Sequence, residues 1–303
     1  MASSLLTNSA AMTALQTLRS VSSQLATTQN RISTGQRVAT ASDNAAYWSI
    51  ATSMRADNAA LSAVSDSLGL SAATVDTEYT ALTAVVGDKT GGLTKLQALL
   101  VEAKTAGIDR TKIQADITQI QQQMKGTANA ATFNGVNWLS TTATTPATFN
   151  LVSSFSRVGG TPTIGSITLT IANYSLYTAT QGGILDKVSG AASIDTISIA
   201  ALTDSTADMT TLDGYIAQVT AGINSVASAA ADLGAVKNRI STNTEFVKTL
   251  MDSVDRGVGQ LVDADMNAES TRLQALQTQQ QLGVQALSIA NQNSQSILSL
   301  FRG

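Results

Sequence analysis

The chain has 303 residues, a net charge of −3 and neither histidine nor cysteine. The missing residue types exclude Ser–His catalytic triads, His-containing zinc sites, disulfides and thiol chemistry. Nucleic acid is not an expected ligand, because phosphate binding needs a concentrated basic face. Since no run of 18 apolar residues occurs, the sequence predicts no membrane span, and it predicts no metal or cofactor site either.

The first predicted element is a helix that ends at Gly35, which is suited to a left-handed C-cap. Residues 1–18 carry no charged side chain, and the outer positions hold Ser, Thr, Gln and Asn where a surface helix has Lys and Glu. An apolar stripe of the kind that packs on a partner helix recurs every seven residues: Ala11, Leu18, Leu25 and Ile32, with Leu15 at the alternate position.

A second, longer helix is predicted from near Ala45 to near Val86, because residues 40–44 supply capping side chains. A glycine-rich turn follows, and two shorter helices are predicted over 93–106 and 109–128. The buried positions of the long helix are expected at seven-residue spacing: Leu61, Leu68, Val75 and Leu82.

The periodicity changes at residue 133. Asn134-Gly135 favours a type I′ turn, and three apolar residues at 167, 169 and 171 alternate with Thr and Ser, as in a half-buried strand. We interpret 133–205 as a small β-rich insertion. It contains no His, Cys or Glu, which leaves an enzyme carried on this insertion without its usual catalytic groups.

The longest pattern runs from Leu212 to Leu261, where the stripe positions alternate in steps of four and three and all are apolar except Lys237 and Thr244. Such a run predicts a helix in a bundle or coiled coil. Asp263-Ala264-Asp265 interrupts it, and a last helix is predicted to end near Leu300. The stripe of that helix continues in steps of three and four: Leu273, Leu276, Gln280, Gly283, Leu287, Ala290, Ser294, Ile297 and Phe301.

The predicted elements are symmetric about the insertion, so the chain must fold back and bring its ends together. We predict a mainly α fold: a long antiparallel helical or coiled-coil bundle with both termini paired, plus a small central β-rich insertion. The terminal stripes can pack within one chain, between subunits, or both. Two nearly uncharged helices that pair only with each other would leave their outer faces unused, so we expect further burial between subunits.

Five segments, in order along the chain, resemble motifs of bacterial flagellin, and the closest resemblance is to short flagellins of rhizobial-type alphaproteobacteria. The run Asn30-Arg-Ile-Ser-Thr-Gly-Gln-Arg-Val-Ala-Thr-Ala-Ser-Asp-Asn-Ala-Ala46 is similar to the family's N-terminal hallmark. The other four are similar to its Phe-Asn-Gly, Leu-Gly-Ala-x-x-Asn-Arg, Asp-Ala-Asp-x-x-x-Glu and C-terminal motifs: 132–140, 231–240, 262–270 and 290–302.

The resemblance implies a layered organisation. An inner D0 layer would comprise 1–46 and 262–303, a D1 layer 47–132 and 206–261, and 133–205 would be a surface-exposed insertion attached to D1. The implied hinge or joint residues are Gly35, Asp43, Asp263 and Asp265. The implied D0 subunit-interface residues are Leu15, Leu18, Leu25, Ile32, Leu273, Leu276, Leu287, Ile297 and Phe301.

The implied function is that of a structural subunit, not an enzyme, which polymerises into the extracellular flagellar filament for swimming motility. The chain would be exported unfolded by type III export after a transient cytoplasmic stage, and assembled at the filament tip. That expectation agrees with the lack of cysteine and of a secretory signal pattern at the N-terminus. The implied partners are the chain itself, sister flagellins, an export chaperone, a cap protein and hook-associated proteins.

The main alternative is a hook–filament junction protein, which shares similar terminal helices. The Asp263-Ala264-Asp265 joint and the Phe-Arg ending favour flagellin. A filament subunit should extend filament seeds without limit, whereas a junction protein should not.

A secondary function implied by the resemblance is that of a ligand for host immune receptors. The corresponding patch contains Lys95, Gln97 and Leu99, where the recognised form of the family carries two arginines. Lys and Gln lack the planar fork of a guanidinium. We therefore predict weak recognition by the animal Toll-like receptor that senses flagellin.

Two local features have more than one interpretation. The acidic stretch from Asp263 to Glu269 has some of the spacing of a calcium loop, but Ala268 and Gln274 replace the Gly and Glu that an EF-hand requires. Carboxylates that cap an incoming helix at a joint are the favoured interpretation. Arg31 and Arg37 flank Gly35, and either are solvated or pair with acidic groups of a neighbouring subunit.

Overall fold

The structure of the chain is a computed structural model that describes residues 8–300, apart from 89, 143–144, 159–160 and 191, and only the backbone of 158, 162 and 293–300. Helices account for most of this part of the chain, so the predicted mainly α fold is confirmed. They are α1 (Ser9–Thr34), α2 (Ala45–Val86), α3 (Gly92–Glu102), α4 (Arg110–Ala130), α5 (Thr206–Val262) and α6 (Met266–Leu300).

The chain divides into two compact units. The terminal unit comprises 1–59 and 251–303, and the central unit comprises 60–250. In the terminal unit α1 packs against α6. The α1–α2 connection, the start of α2 and the end of α5 form a small apolar core in the same unit, made by Val38, Ala51, Val258 and Val262.

The central unit is built on the seven-residue stripes that the sequence predicts. The stripe of α2 is fully buried at Leu61, Leu68, Val75 and Leu82, which confirms the predicted register of that helix. The other helices each add buried apolar residues to the same unit: Leu93, Leu96 and Leu100 of α3, Ile113, Ile117 and Met124 of α4, and Val219, Val226, Leu233, Ile240 and Val247 of α5.

The segment between α4 and α5 contains little regular structure, and four strands are described in it: β1 (Ser140–Thr141), β2 (Thr148–Val158), β3 (Thr161–Thr170) and β4 (Tyr177–Thr178). β2 and β3 form an antiparallel hairpin with a bulge between Val152 and Ser154, and β1 pairs with β4 in parallel. Ile167 and Leu169 are buried on β3, as the alternation predicts.

The Asn134-Gly135 turn takes the predicted conformation, with φ of +49° and +78°. Phe133 and Val136 close it with two backbone hydrogen bonds of 2.9 Å. No strands flank this turn; the two residues form an isolated bridge. The flanking segments are not available as strands. On one side α4 ends shortly before the turn, and on the other side Trp138 is buried in the core.

By length and composition alone, α5 contains one 18-residue window apolar enough to cross a membrane, and 39% of that window is buried. The apolar residues form a stripe, however, and Ser, Thr, Asn, Asp and Lys occupy the other faces. A helix patterned in this way buries its stripe against protein.

Candidate polymerisation surface

The two terminal helices run antiparallel. Near the free ends, the Asn8 side chain donates to the Ala290 carbonyl oxygen over 2.9 Å. In the middle, Leu18 packs over Gly283, where an added Cβ would lie 3.2 Å from Leu18 Cδ1. At the inner end, Arg31 pairs with an acidic residue of α6. The chain therefore brings its first and last helices together, as the sequence predicts.

The α6 stripe lies against α1 as far as side chains are described. Leu276 is buried, and the remaining described stripe residues are half-buried: Leu273, Gln280, Gly283, Leu287 and Ala290. On α1 the seven-residue repeat also faces the partner, since Ala11 is buried and Leu18, Leu25 and Ile32 are half-buried. Phe301 lies outside the described residues, as does the side chain of Ile297.

Leu15 departs from the predicted seam. The sequence places it at the alternate position, but the structure leaves it 41% exposed. Ala14, Val21 and Thr28 take the alternate position instead, and the last two are buried. A heptad pattern allows the seam residue before Leu18 to lie either three or four positions earlier, at Leu15 or at Ala14. The position of α6 in the structure makes Ala14 the seam residue.

Several large apolar side chains of this helix pair point away from the seam. We define the outer apolar face as five residues on the two flanks of the seam, beyond the first turn of α6, that are each more than two-fifths exposed: Met12 and Leu15 of α1, and Leu282, Val284 and Ile289 of α6. Leu282, for example, is 58% exposed. Apolar area left in water at this density marks a contact surface.

The electrostatics of the pair suit close packing against copies of itself. The only charged side chains of α1 are Arg19 and Arg31, and those of α6 are Glu269 and Arg272. Beyond residue 272, the described part of α6 carries no charge at all. Like charges repel at short range. Helix pairs with so few charges can therefore pack against several identical copies without this repulsion.

A backbone bridge joins the inner ends of the two helices to the rest of the terminal unit. Gly35 closes α1 with φ of +69°, and its carbonyl oxygen accepts from Ala264 N over 2.9 Å. In return, Arg37 N and Val38 N both donate to the Val262 carbonyl oxygen, over 2.6 and 3.2 Å. The predicted joint residues Gly35 and Asp263 lie within or beside this bridge, which also pairs Gln36 with Asp263.

The other two predicted joint residues hold the backbone on either side of the bridge, Asp265 as the cap of α6 and Asp43 within the connection before α2. Asp265 accepts from the backbone N–H groups of Asn267 and Ala268 over 2.9 and 3.2 Å, at the start of α6. Asp43 accepts from Ala39 N and Thr40 N over 3.1 and 2.9 Å. The hydrogen bonds from Thr40 hold the pKa of the Asp43 carboxyl below its usual value. The favoured interpretation of the acidic stretch 263–269, carboxylates that cap the incoming helix at a joint, matches the geometry of Asp265.

Arg31 and Glu269 form an ion pair of 3.0 Å between the ends of α1 and α6. The sequence predicts that Arg31 is solvated or pairs with a neighbouring subunit, whereas the structure pairs it with an acid of its own chain. Arg37 likewise donates to the Leu261 carbonyl oxygen over 3.0 Å. The antiparallel pairing of residues 35 and 264 places 31 opposite 269, and this signal could have identified the partner.

The predicted immune-receptor patch lies on α3. Leu99 is 3% exposed, so its side chain is not available to a partner. The Gln97 amide donates to Thr220 Oγ1 over 2.8 Å, and Lys95 is half-buried. The structure thus places the three residues on one helix, with only part of the patch accessible.

Comparison with known families identifies the chain. Residues 5–144 match the family described as the bacterial flagellin N-terminal helical region, and residues 216–301 match the bacterial flagellin C-terminal helical region. The chain belongs to the flagellin family. A flagellin is a structural subunit of the flagellar filament, a motility structure of the bacterial surface, and it is not an enzyme.

Relatives of this flagellin match it along nearly its whole length. Flagellin C of Rhizobium meliloti (strain 1021) is 44% identical over 326 residues, and a flagellin of Brucella melitensis is 44% identical over 301; each alignment covers 99% of both chains. Flagellin A of Rhizobium meliloti is 39% identical over 401 residues, covering 99% of this chain and 100% of the relative. That alignment is longer than this chain, so Flagellin A contains segments that this flagellin lacks.

Proposed function

We propose that this flagellin enters the filament through its paired terminal helices, and that the outer apolar face makes the contacts with neighbouring subunits. The observation that supports this most directly is the exposure of five large apolar side chains on helices that carry almost no charge. Removing one such side chain from water contributes about 1.5–3 kcal/mol. In a polymer, each of these side chains that is buried against a neighbouring subunit would add a contribution of this size.

The layers of the filament follow from this assignment. Residues 1–46 and 262–303 form the inner D0 layer, 47–132 and 206–261 form D1, and 133–205 is the surface insertion on D1. Leu15 contributes directly to subunit contacts because it is exposed. The seam residues, such as Leu18 and Leu276, contribute by holding α1 and α6 together as one surface.

The backbone bridge around Gly35 acts as the hinge between these layers. It consists of a few hydrogen bonds between two short non-helical connections, near 35–38 and 262–264. Hinges are commonly a few residues at element ends that absorb changes in φ and ψ. The terminal helix pair can therefore change direction while its own seam stays intact.

Assembly also requires partners at each stage. The chain is exported unfolded after a transient cytoplasmic stage, escorted by an export chaperone, and is folded beneath a cap protein onto hook-associated proteins or earlier subunits. The family forms filaments from one or from several flagellins, and this chain polymerises with itself or with sister flagellins. A hook–filament junction role is the alternative, and its distinguishing property is failure to extend a filament.

Seeded growth tests the proposal. Purified chain is added to short filament seeds, and elongation is followed by electron microscopy. We expect the full-length chain to extend seeds, and the truncation 47–261 to remain monomeric. The variant L282Q/V284Q/I289Q should lose most of its elongation rate, because three apolar contacts become polar while the helical seam is unchanged.

The matched control is Q274S/Q277S/Q281S, which alters three exposed polar residues of α6 and should elongate like the parent. Circular dichroism confirms that both variants retain their helix content. If the Gln variant grows as fast as the control, the outer apolar face is not the contact surface. If the full-length chain itself does not extend seeds, the junction role replaces the filament role.

A further inference from the structure

The central unit contains an apolar groove that no part of the described chain fills. It lies between α2 and α5, with a volume of about 330 Å³. We call it the α2–α5 groove. Its lining carries no charged side chain and includes Tyr79, Thr83 and Val86 of α2, and Ala227, Ala230 and Gly234 of α5.

Small residues on α5 give the groove its depth. Ala227, Ala230 and Gly234 leave the aromatic ring of Tyr79 as its main wall, and a Cβ at Gly234 would lie 3.6 Å from Tyr79 Cε2. Beyond Tyr79 the charges are balanced, because Lys237 pairs with Asp76. The groove thus suits an uncharged, roughly planar side chain.

The same unit presents a side chain of that kind. Phe246 of α5 is 60% exposed, and it is the largest apolar side chain among the exposed described residues of the central unit. Its neighbour Val247 is buried, so the register of the helix fixes Phe246 at the edge of the buried stripe. More than half of its surface is therefore open to contact with another molecule.

Phe246 and the groove lie on opposite flanks of α5. Ala227 and Gly234 each follow a buried stripe residue by one position, whereas Phe246 precedes one, Val247. Each residue turns the helix by about 100°, so these positions fall on either side of the stripe. Phe246 therefore cannot enter the groove of its own chain.

We infer that Phe246 of one copy inserts into the α2–α5 groove of a second copy of this chain. An apolar knob and a complementary pocket at different places on one molecule make a head-to-tail contact, which does not close on itself and generates open fibres. The inference rests on the proposed function, since it supplies a D1 contact within the same filament. The contact it predicts lies between central units and is separate from the contacts made by the outer apolar face.

Charge complementarity supports this occupant. Arg239 lies on the same flank of α5 as Phe246, one heptad or roughly 10 Å earlier along the helix, and it is exposed. Asp88 is an exposed acid just beyond Val86, at the open end of the groove. Thr90 holds its carboxylate with two hydrogen bonds of 2.7 and 2.5 Å, from N and Oγ1.

The direction of the helices brings both contacts together. α2 and α5 run antiparallel, since Asp76 pairs with Lys237 while Tyr79 lies beside Gly234. Asp88 therefore lies on the side of the groove that is nearer to the N-terminus of α5. Arg239 is likewise nearer to that N-terminus than Phe246 is. If two copies lie parallel and one is displaced by roughly 24 Å along the helix axis, Phe246 meets the groove and Arg239 meets Asp88 in the same arrangement. The displacement follows from the separation of about sixteen residues between Phe246 and the centre of the groove.

Disulfide trapping tests this contact on a chain that has no cysteine of its own. Ala231 of α5 also lines the groove, so the variant F246C/A231C places one thiol at the position of Phe246 and one in the groove. Filaments are grown from it at high monomer concentration, because the variant lacks the phenyl contact, and they are then oxidised with a mild disulfide-forming reagent and run on a denaturing gel. We expect a ladder of dimers, trimers and longer species, which disappears on reduction.

The matched control is L70C/A231C. Leu70 is 53% exposed but lies on the side of α2 opposite its buried stripe, so this pair should give no ladder. Filaments of F246C/A231C that yield no ladder would overturn the inference and leave the proposed function standing. If the parent chain forms no filaments, the proposed function fails and the inference with it.

A growth measurement covers the case in which the double variant does not fold. The single variant F246S should raise the monomer concentration needed for seeded elongation by at least about tenfold, since a phenyl contact is lost, while L70S should not change it. The variant R239D should weaken growth similarly, and R239D/D88R should restore it, because every copy then carries the reversed pair. Equal growth of F246S and L70S would contradict the inference.

Discussion

At the residue scale, the turn between α2 and α3 depends on glycine. Gly92 has φ of +69°, and a Cβ there would lie 2.5 Å from the Val85 carbonyl oxygen. A side chain would therefore meet both an unfavourable backbone conformation and a backbone atom that cannot move aside. Gly69 differs on both counts, because it lies inside α2 with open space around it.

We expect the variant G92A to lower the free energy of unfolding of the central unit by at least about 2 kcal/mol. G69A should raise it by roughly 0.5–1 kcal/mol, since alanine restricts the unfolded chain and fits a helix. Urea unfolding followed by circular dichroism measures both. Shifts of the same sign would show that the conformation of Gly92 is not what matters.

A second residue of consequence is Glu78 of α2, which is completely buried. One carboxyl oxygen accepts from Trp138 N over 2.9 Å. No described protein group donates to the other oxygen. Burial raises the pKa of Glu78 to about 7, although the bond from Trp138 acts in the opposite direction. An uncharged acid is the favoured form, since a buried charge without a partner is costly.

The stability of the folded chain should therefore depend on pH over an unusual range. The folded state holds the Glu78 proton more tightly than the unfolded state, so its contribution is complete below about pH 4.5 and is lost as pH rises to about 7. The loss is about 3 kcal/mol at 1.36 kcal/mol per pKa unit. Urea unfolding at pH 5 and pH 8 measures most of this loss.

The control for this prediction is E78Q, which keeps the shape of the side chain but cannot titrate. Without histidine, the chain has no side chain with an ordinary pKa between 5 and 8. The stability of E78Q should thus be nearly equal at the two pH values. A slope that persists in E78Q would assign the dependence to another group.

At the scale of elements, Arg31 and Glu269 pin the inner ends of α1 and α6. The side chain of Glu269 is 11% exposed, and that of Arg31 is 28% exposed. Removing the arginine would leave a nearly buried carboxylate without its cation. Breaking such a pair costs more than the pair itself contributes, because the remaining charge stays desolvated.

We expect R31A to destabilise the α1–α6 pairing by about 1–3 kcal/mol. Faster amide hydrogen exchange along α1 would report the loss, with α3 unchanged. K112A is the control, because Lys112 and Asp109 form an exposed pair of 3.7 Å that contributes well under 1 kcal/mol. If the amides of α1 exchange equally fast in both variants, the Arg31–Glu269 ion pair does not stabilise the packing of α1 against α6.

The sequence predicts the helices well because their ends carry local signals. Asn44, for example, precedes α2, and its side chain accepts from the N–H groups of Ala46 and Tyr47. The strand β2 was not predicted, since Ser153 and Ser154 interrupt its apolar alternation at the bulge. Only pairing with β3, a tertiary contact, makes it a strand.

The candidate site could be predicted in part. Seven-residue spacing identifies the stripes, but it does not decide between Ala14 and Leu15, because the geometry of the partner helix makes that choice. Glu78 could have been noticed, since it lies three residues after Val75 and four before Leu82, on the buried stripe. The α2–α5 groove could not, because it depends on which residues of two distant segments face each other.

At the scale of the whole molecule, the accessible surface of the central unit bears on recognition by a host. The patch on α3 lacks guanidinium groups, Leu99 is buried, and the Gln97 amide is occupied by Thr220. Few groups remain that could form the bidentate contacts an arginine makes. The predicted weak response of the flagellin-sensing receptor is consistent with this arrangement.

A cell reporter for that receptor tests the prediction on purified chain. We expect a potency at least about tenfold below that of an enteric flagellin, since a lost charged contact costs 1.4 kcal/mol or more. The variant K95R/Q97R should recover part of the difference, and K112R on the neighbouring helix should not. Potency equal to that of the enteric protein would contradict the prediction.

The pairing of the first and last helices has a consequence for timing. Asn8 contacts Ala290, which lies 282 positions further along the chain, and the contact closes one of the longest loops that this chain can form. Closing such a loop is entropically costly and slow. The seam of α1 therefore stays unpaired through nearly all of synthesis, until the residues of α6 have been added to the chain.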